Sequence, residues 1–394
     1  MRIALVGPAH PYKGGGARHT TELAHRLAAA GHDVVIESWR AMYPSALYPG
    51  VQTVQVTEGD PYPRTRRLLS WRRPDSWLRA GLRLRGTCDV AVFVYLAPVQ
   101  VPAYLAIMWG LRRRTAAGAS RPRAVVICHN VLPHERRPGD VALTRALLRR
   151  GDAALTHTER LARAARHLAP GTPVGVAAMP PHLPASPESR DPAAPEVTEA
   201  RVPAMRRLLF FGIVRPYKGL DILLRAMALA PDSIALTVAG EFWGGTSATG
   251  ALVSELGLTG RVDLRPGYVP ADEIGALLSQ ADALVLPYRS ATSSQNPWLA
   301  FAHGVPVIAT RSGTFAEQVT DGVDGLLCDP GDAADLARAL ARLCEPGAAE
   351  RLRARVRPVD GRSIWDRYLT QLLELGLHGL VGDLRGPVTG PTRS

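Results

Sequence analysis

Only two lysines occur in the 394 residues, and both sit in the same tetrapeptide. Pro11-Tyr12-Lys13-Gly14 follows the apolar run Met1–Val6, and Pro216-Tyr217-Lys218-Gly219 follows Arg207–Phe211. Each leads into an amphipathic helical pattern. A strand, a glycine-bearing turn and a helix, met in the same order in both halves, restrict the chain to a duplicated β-loop-α architecture. The backbone N–H groups and dipole at such a helix start attract anions. A lysine there adds a compact charge suited to phosphate.

The rest of the chain extends this pattern. Strand signals at Ile3–Val6, Val34–Glu37, Ala91–Tyr95, Ala124–Cys128 and Ala153–Thr156 alternate with helical signals at Thr20–Ala30 and Val141–Arg150. Residues 180–203 are Pro-rich and lack apolar periodicity, as in a linker or exposed loop. The alternation then restarts. Strands are predicted at Leu208–Gly212, Ile234–Ala239, Val262–Leu264, Ala283–Leu286, Pro306–Ala309 and Gly325–Leu327, and helices at Leu220–Ala228 and Ala271–Gln280. The expectation is an α/β chain of two Rossmann-like, doubly wound domains. Their bounds are set at 1–185 and 206–360, with a linker over 186–205. An amphipathic helix is expected at Ser363–Gly376, and 379–394 has the composition of a disordered tail.

A net charge of +12 and a pI near 10.1 favour an anionic partner. No zinc-finger spacing, basic heptads or aromatic RNA-binding motif accompanies the charge, so nucleic acid is not expected. Cys88, Cys128, Cys328 and Cys344 lack CxxC spacing and read as buried thiols in a reducing, cytoplasmic setting. Met1–Gly7 reads as a first strand, since no apolar signal-peptide core follows it. Val90–Leu111 is long enough for a membrane span, but Pro98, Gln100 and Pro102 at its centre favour a buried strand, a turn and a helix. Residues 62–85 mix Arg with Trp and Leu, as an interfacial helix at the inner face of an anionic membrane would.

Several residues could carry chemistry. Gly14-Gly15-Gly16 lets backbone approach a ligand, although the spacing is not that of a nicotinamide fingerprint. His129 and Asn130 end a buried strand, where open α/β sheets bind ligands. His129, His134 and Glu135 share one irregular loop without metal-ligand spacing, so no metal is expected. Arg215 and Lys218, three residues apart after Gly212, could neutralise a diphosphate. Thr292-Ser293-Ser294-Gln295-Asn296 precedes a helix over Trp298–His303, which makes another anion cradle or a simple cap.

Together these residues resemble the GT-B glycosyltransferases, and among them glycosyltransferase family 4. The similarity is densest at Gly212…Lys218-Gly219, Ala239-Gly240-Glu241, Ala281–Pro287, Gly304–Thr310 and Glu317…Asp321-Gly322-Val323-Asp324-Gly325. The resemblance implies two domains facing across a cleft, with a C-terminal helix over 361–378 crossing back to the first. It implies sugar transfer from a UDP- or GDP-type nucleotide sugar with retention, without metal or cofactor, to a glycan or lipid-linked acceptor of polysaccharide biosynthesis. Arg215 and Lys218 would hold the diphosphate, and His129 would sit beside the donor sugar. Gly15, Gly16, Gly212, Glu241, Tyr268 and Thr292 to Asn296 would line the donor site; Lys13, Gly14 and Asn130 would serve the acceptor. The family's Glu-x7-Glu pair is absent: Ala291 and Leu299 stand at those positions. That departure opens an alternative, a non-catalytic nucleotide-binding partner of another transferase. A nucleotide-sugar 2-epimerase on the same fold would need cleft carboxylates that Ala291 and Leu299 do not supply.

Overall fold

A computed structural model describes residues 1–44, 52–54, 60–113, 121–133, 137–182, 205–292 and 294–377. The chain divides into two compact units, one of Met1–Pro180 together with Arg362 onward, the other of Pro181–Gly361. The Pro-rich 186–205 segment up to residue 204, the 379–394 tail, His134, Glu135 and Ser293 lie outside the described residues.

The first unit is built on β1 (Arg2–Val6), β2 (Asp33–Ala41), β3 (Thr65–Ser70), β4 (Val90–Tyr95), β5 (Arg123–Cys128), β6 (Ala153–Thr156) and β7 (Val174–Val176). They form one sheet in the order β3-β2-β1-β4-β5-β6-β7, with every pairing parallel. Its helices are α1 (Gly15–Ala29), α2 (Asp75–Leu84), α3 (Val101–Leu111), α4 (Asp140–Arg150) and α5 (Glu159–Leu168). Strand β4, Val-Ala-Val-Phe-Val-Tyr, is buried throughout. An unbroken apolar run is what a strand covered on both faces requires. The glycines Gly81 and Gly110 let α2 and α3 meet backbone to backbone: a Cβ on Gly81 would lie 2.2 Å from the Ile107 carbonyl oxygen. The side chain of Thr158 caps α5 by accepting from the Leu161 N–H at 3.2 Å.

The second unit carries β8 (Arg206–Phe211), β9 (Ile234–Gly240), β10 (Val262–Pro266), β11 (Ala283–Leu286), β12 (Val307–Thr310) and β13 (Gly325–Cys328). Their order is β10-β9-β8-β11-β12-β13, again all parallel. The helices are α6 (Leu220–Leu229), α7 (Ser247–Glu255), α8 (Ala271–Ser279), α9 (Asn296–Ala302), α10 (Phe315–Gln318), α11 (Ala333–Cys344) and α12 (Ala348–Arg355). The last helix, α13 (Gly361–Leu377), places Trp365, Tyr368, Leu372 and Leu375 in a buried cluster with Ile3, Leu5, Leu23, Val92 and Val125 of the first unit.

One sequence expectation is corrected and another is met. Residues 62–85 are not one interfacial helix but strand β3 followed by helix α2. Residues 90–111 resolve into β4, a 3-10 turn over Pro98–Gln100 and α3, and among the described residues no helix is long and apolar enough to cross a membrane. Cys88, Cys128 and Cys328 are buried free thiols, each pushed up to about 12 chiefly by burial.

Candidate functional site

In a doubly wound sheet, ligands bind at the carboxyl ends of the strands where the strand order reverses. In the second unit that point lies between β8 and β11, since β8 pairs with β9 on one side and β11 on the other. Two loops leave it: Gly212–Gly219 after β8 and Pro287–Gln295 after β11.

The first loop is shaped by glycines. Gly212 has φ 106°, and a Cβ added there would lie 3.1 Å from the Lys218 ammonium nitrogen. Gly240, at the end of β9, comes so close that a Cβ would lie 2.0 Å from the Gly212 carbonyl oxygen. Pro216–Lys218 forms a 3-10 turn, and Gly219 (φ 70°) opens α6. The Val214 N–H donates to the Glu241 carbonyl at 2.8 Å, which ties this loop to the end of β9.

Lys218 is the centre of the arrangement. Its ammonium lies beside Gly212 and 5.4 Å from the centroid of the Tyr288 ring. Among the described residues no carboxylate or hydrogen-bond acceptor is placed against it. Burial, with the neighbouring Arg215 charge, lowers its pKa to about 8. An ammonium has three donors and no acceptor capacity. A partly buried one facing aromatic carbon needs an anion from outside to satisfy it. The Arg215 guanidinium lies 4.8 Å over the Trp243 ring and 5.7 Å over the Tyr217 ring. Cation–π stacking of this kind helps to orient a guanidinium.

The second loop supplies the floor. Tyr288 is 4% exposed and meets Tyr217 and Phe315 edge to face, at 6.0 and 5.2 Å. Burial raises its hydroxyl well above the ordinary range, so the phenol stays neutral. Ser294 Oγ accepts from the Asn296 N–H at 3.3 Å, the Asn296 side-chain amide donates to the Phe211 carbonyl at 3.3 Å, and Gln295 Oε1 accepts from the His182 N–H at 3.0 Å. These side chains hold the loop together. Ala291 is buried, with its N–H donating to Ser312 Oγ at 2.9 Å, and Leu299 packs against the apolar cluster around Phe301 and Val307. Thr292 is half-buried, and Tyr268 is exposed on the loop after β10.

The remaining candidates belong to the first unit. Lys13 follows β1, and its N–H donates to the Gln52 carbonyl at 2.9 Å. Gly14 (φ 95°) and Gly15 are exposed, while Gly16 is held against Leu96, whose side chain would lie 2.6 Å from an added Cβ. A side chain at Gly16 would have to displace the Leu96 side chain. Asn130 is half-buried after β5. His129 is 7% exposed, and its N–H continues the β5 ladder to the Tyr95 carbonyl at 3.1 Å. It sits in a ring cluster, with centroids 5.0 Å from His19 and 4.9 Å from His157. Burial holds His157 neutral, with a pKa lowered to about 4. Among the described residues no group of three or more His, Cys, Asp or Glu side chains is arranged to hold a metal ion.

The structure thus brings Gly212, Arg215, Lys218 and the backbone of Glu241 together at one switch point. It adds Tyr288, Arg289, Asp221 and Trp243, which sequence reasoning did not assign. Tyr288 and Arg289 stood in the quoted loop, but their approach to Lys218 spans some 70 residues of chain and left no local signal.

Known proteins share this fold and part of this sequence. Residues 205–346 match the family described as glycosyl transferases group 1. A D-inositol 3-phosphate glycosyltransferase of Mycobacterium sp. (strain JLS) is 34% identical over 169 residues, covering 42% of this chain and 38% of the relative. The one of Salinispora tropica is 30% identical over 205 residues, covering 47% and 42%. The chain thus spans about two fifths of the length of these curated relatives. Sucrose-phosphate synthase from Thermosynechococcus elongatus superposes with a TM-score of 0.67 at 19% identity, over 98% of each chain. Anabaena HepE in complex with UDP gives 0.67 at 16% identity, over 95% of this chain and 100% of that one. At such identities the likeness is one of fold. The chain thus has the fold of the GT-B glycosyltransferases, and its residues 205–346 match the glycosyl transferases group 1 family.

Proposed function

We propose that the protein is a retaining glycosyltransferase of family 4 type. It transfers a sugar from a nucleoside diphosphate sugar to a hydroxyl of a lipid-linked glycan or polysaccharide precursor. The observation that carries this is the Lys218 ammonium, which sits beside Arg215 at the β8/β11 switch point and faces no acceptor among the described residues. The UDP held by the HepE structure supports the same donor class.

The chemistry follows from charge. As the glycosidic bond of the donor breaks, negative charge grows on the departing diphosphate. Fixed positive groups aimed at it lower the barrier, commonly the largest single contribution in such reactions. Lys218, Arg215 and the N-terminus of α6 supply that field. Attack from the face the diphosphate leaves lets a phosphate oxygen take the acceptor's proton, and no protein nucleophile is needed. His129 would act at the donor sugar, Gly15, Gly16, Tyr268 and Thr292 to Asn296 would contact the donor, and Lys13, Gly14 and Asn130 would contact the acceptor.

Calorimetric titration with UDP, GDP and ADP tests the reading. One base class should bind with micromolar affinity, about −8 kcal/mol. Absence of binding by all three would remove the donor site. A second reading, a nucleotide-binding partner without activity, is favoured by Ala291 and Leu299, which put methyl groups in place of carboxylates. Transfer of radiolabelled sugar from the nucleotide that binds separates the two.

The membrane part of the proposal rests on β3 and α2. Leu68 (52% exposed) and Trp71 (37%) project among Arg66, Arg67 and Arg72, and Arg72 lies 5.3 Å over the Trp71 ring. Basic residues near an anionic leaflet contribute roughly 1 kcal/mol each. The protein should co-sediment with vesicles containing phosphatidylglycerol but not with phosphatidylcholine alone, and a Trp71→Ala, Arg72→Ala double variant should lose about tenfold in binding. Equal sedimentation with both vesicle types counts against docking.

A further inference from the structure

We propose that Arg289 is a positioning residue for the Lys218 anion socket, holding the lysine turn in place and masking the carboxylate of Asp221. This rests on the donor-diphosphate reading given above. Arg289 reaches the turn by two routes. Its side-chain Nη1 donates to the Pro216 carbonyl at 2.6 Å, and its backbone N–H donates to the Tyr217 carbonyl at 2.8 Å. The same guanidinium grips Asp221 with two bonds, Nη1 to Oδ1 at 2.8 Å and Nη2 to Oδ2 at 2.5 Å. A guanidinium makes this paired contact through a rigid planar fork that an ammonium lacks, and still donates elsewhere.

Asp221 is what makes the contact functional. It lies in the first turn of α6, three residues after Lys218. A carboxylate is favourable at that end of a helix and takes up N–H groups there. Burial pushes its carboxyl upward, yet the hydrogen bonds from Arg289 and from the N–H groups of Asp221 and Ile222 leave it below the ordinary range. It is therefore ionised. Left unpaired, this charge would compete with a diphosphate for both Lys218 and the helix start. In the folded protein Lys218 responds to burial and to Arg215, with no contribution from Asp221. Asp221 is thus spent on Arg289. The pair is partly exposed, at 40% and 42%, so its direct contribution to stability is small. Its consequence falls on affinity.

The adjacent Tyr288 carries the same logic. One dipeptide, Tyr288-Arg289, puts an aromatic floor under Lys218 and pins the turn that carries it. The loop after β11 therefore sets the geometry of a charge borne by the loop after β8.

The test is a double-mutant cycle read by calorimetric titration with UDP and with GDP on the full-length chain. Arg289→Ala should weaken the nucleotide that binds by about tenfold or more, with the melting temperature nearly unchanged. Asp221→Asn alone should bind at least as well as the parent. The double variant should bind better than Arg289→Ala, because no carboxylate remains to be masked, but short of the parent, because the tie to the Pro216 carbonyl is still missing. Arg289→Lys should fall between, since it keeps the charge but loses the fork. A double variant that binds no better than Arg289→Ala, or an Arg289→Ala protein that binds like the parent, overturns the proposal while leaving the donor site intact. A parent protein that binds neither nucleotide overturns both.

Discussion

Lys218→Ala removes the thermal protection that a nucleoside diphosphate confers on the parent protein. At about 100 times its dissociation constant, a ligand adds roughly 2.7 kcal/mol to stability. For a unit of this size that raises the melting temperature by several degrees. A hydrogen bond to a charged group contributes about 1.5–3 kcal/mol, so the variant should bind about 10- to 150-fold more weakly and the shift should all but vanish. The apparent affinity should also depend on pH in a definite direction. Free Lys218 has a pKa near 8, lowered by burial and by Arg215, and a bound diphosphate favours the charged form. Below that pH the ammonium is already present and affinity is flat. Above it, binding must take up a proton, and affinity falls by up to tenfold per pH unit. Titrations between about pH 7 and 9.5 lie above the phosphate's own ionisation near 6. The slope should be absent in Lys218→Ala. A parent profile that stays level across that interval would mean the lysine is not the anion's partner.

Why this site was only half legible follows from distance along the chain. Gly212, Arg215, Lys218 and the strand before them are local, and a strand-turn-helix pattern exposes them. The parallel strands were equally plain where burial on both faces forces an unbroken apolar run, as in β4, or short apolar segments with sharp ends, as in β6 and β11. Strand β3 was hidden because it is an edge strand carrying Arg66 and Arg67 on an exposed surface. Charge on an edge is how sheets avoid pairing with other chains, and it erases the alternation by which a strand is recognised. The Tyr288 floor and the Arg289–Asp221 clasp are tertiary, set by strand order, and no spacing announces them. His129 was legible as a strand-end residue, but not its neighbours His19 and His157, which come from α1 and from the end of β6.

Trp365→Ala should be the most damaging single change to the fold. The indole is 1% exposed. It stacks on His19 at 5.5 Å and 14°, with the Arg26 guanidinium 4.7 Å from its ring and Tyr368 edge-on at 5.7 Å. Tyr368 in turn shares a hydrogen bond of 2.9 Å with His19. Removing a buried Trp costs about 3–5 kcal/mol through lost transfer energy and the cavity left behind. At about 2–4 °C per kcal/mol, the transition of the first unit should fall by roughly 6–20 °C in a calorimetric scan. Two units need not melt together, so the scan should be resolved into its component transitions rather than read as one. A fall below 2 °C would show that the core tolerates the loss, and that α13 is not what closes it.

The return of α13 has a consequence for biosynthesis. The first unit begins at Met1, but its buried cluster of Ile3, Leu5, Val92 and Val125 is completed by residues beyond Arg362. Roughly 180 residues, the whole second unit, leave the ribosome in between. At about 5–20 residues per second that is a wait of roughly 10–40 s. The half translated first is thus the half finished last, with an apolar face uncovered on the nascent chain while its neighbour already has every residue it needs.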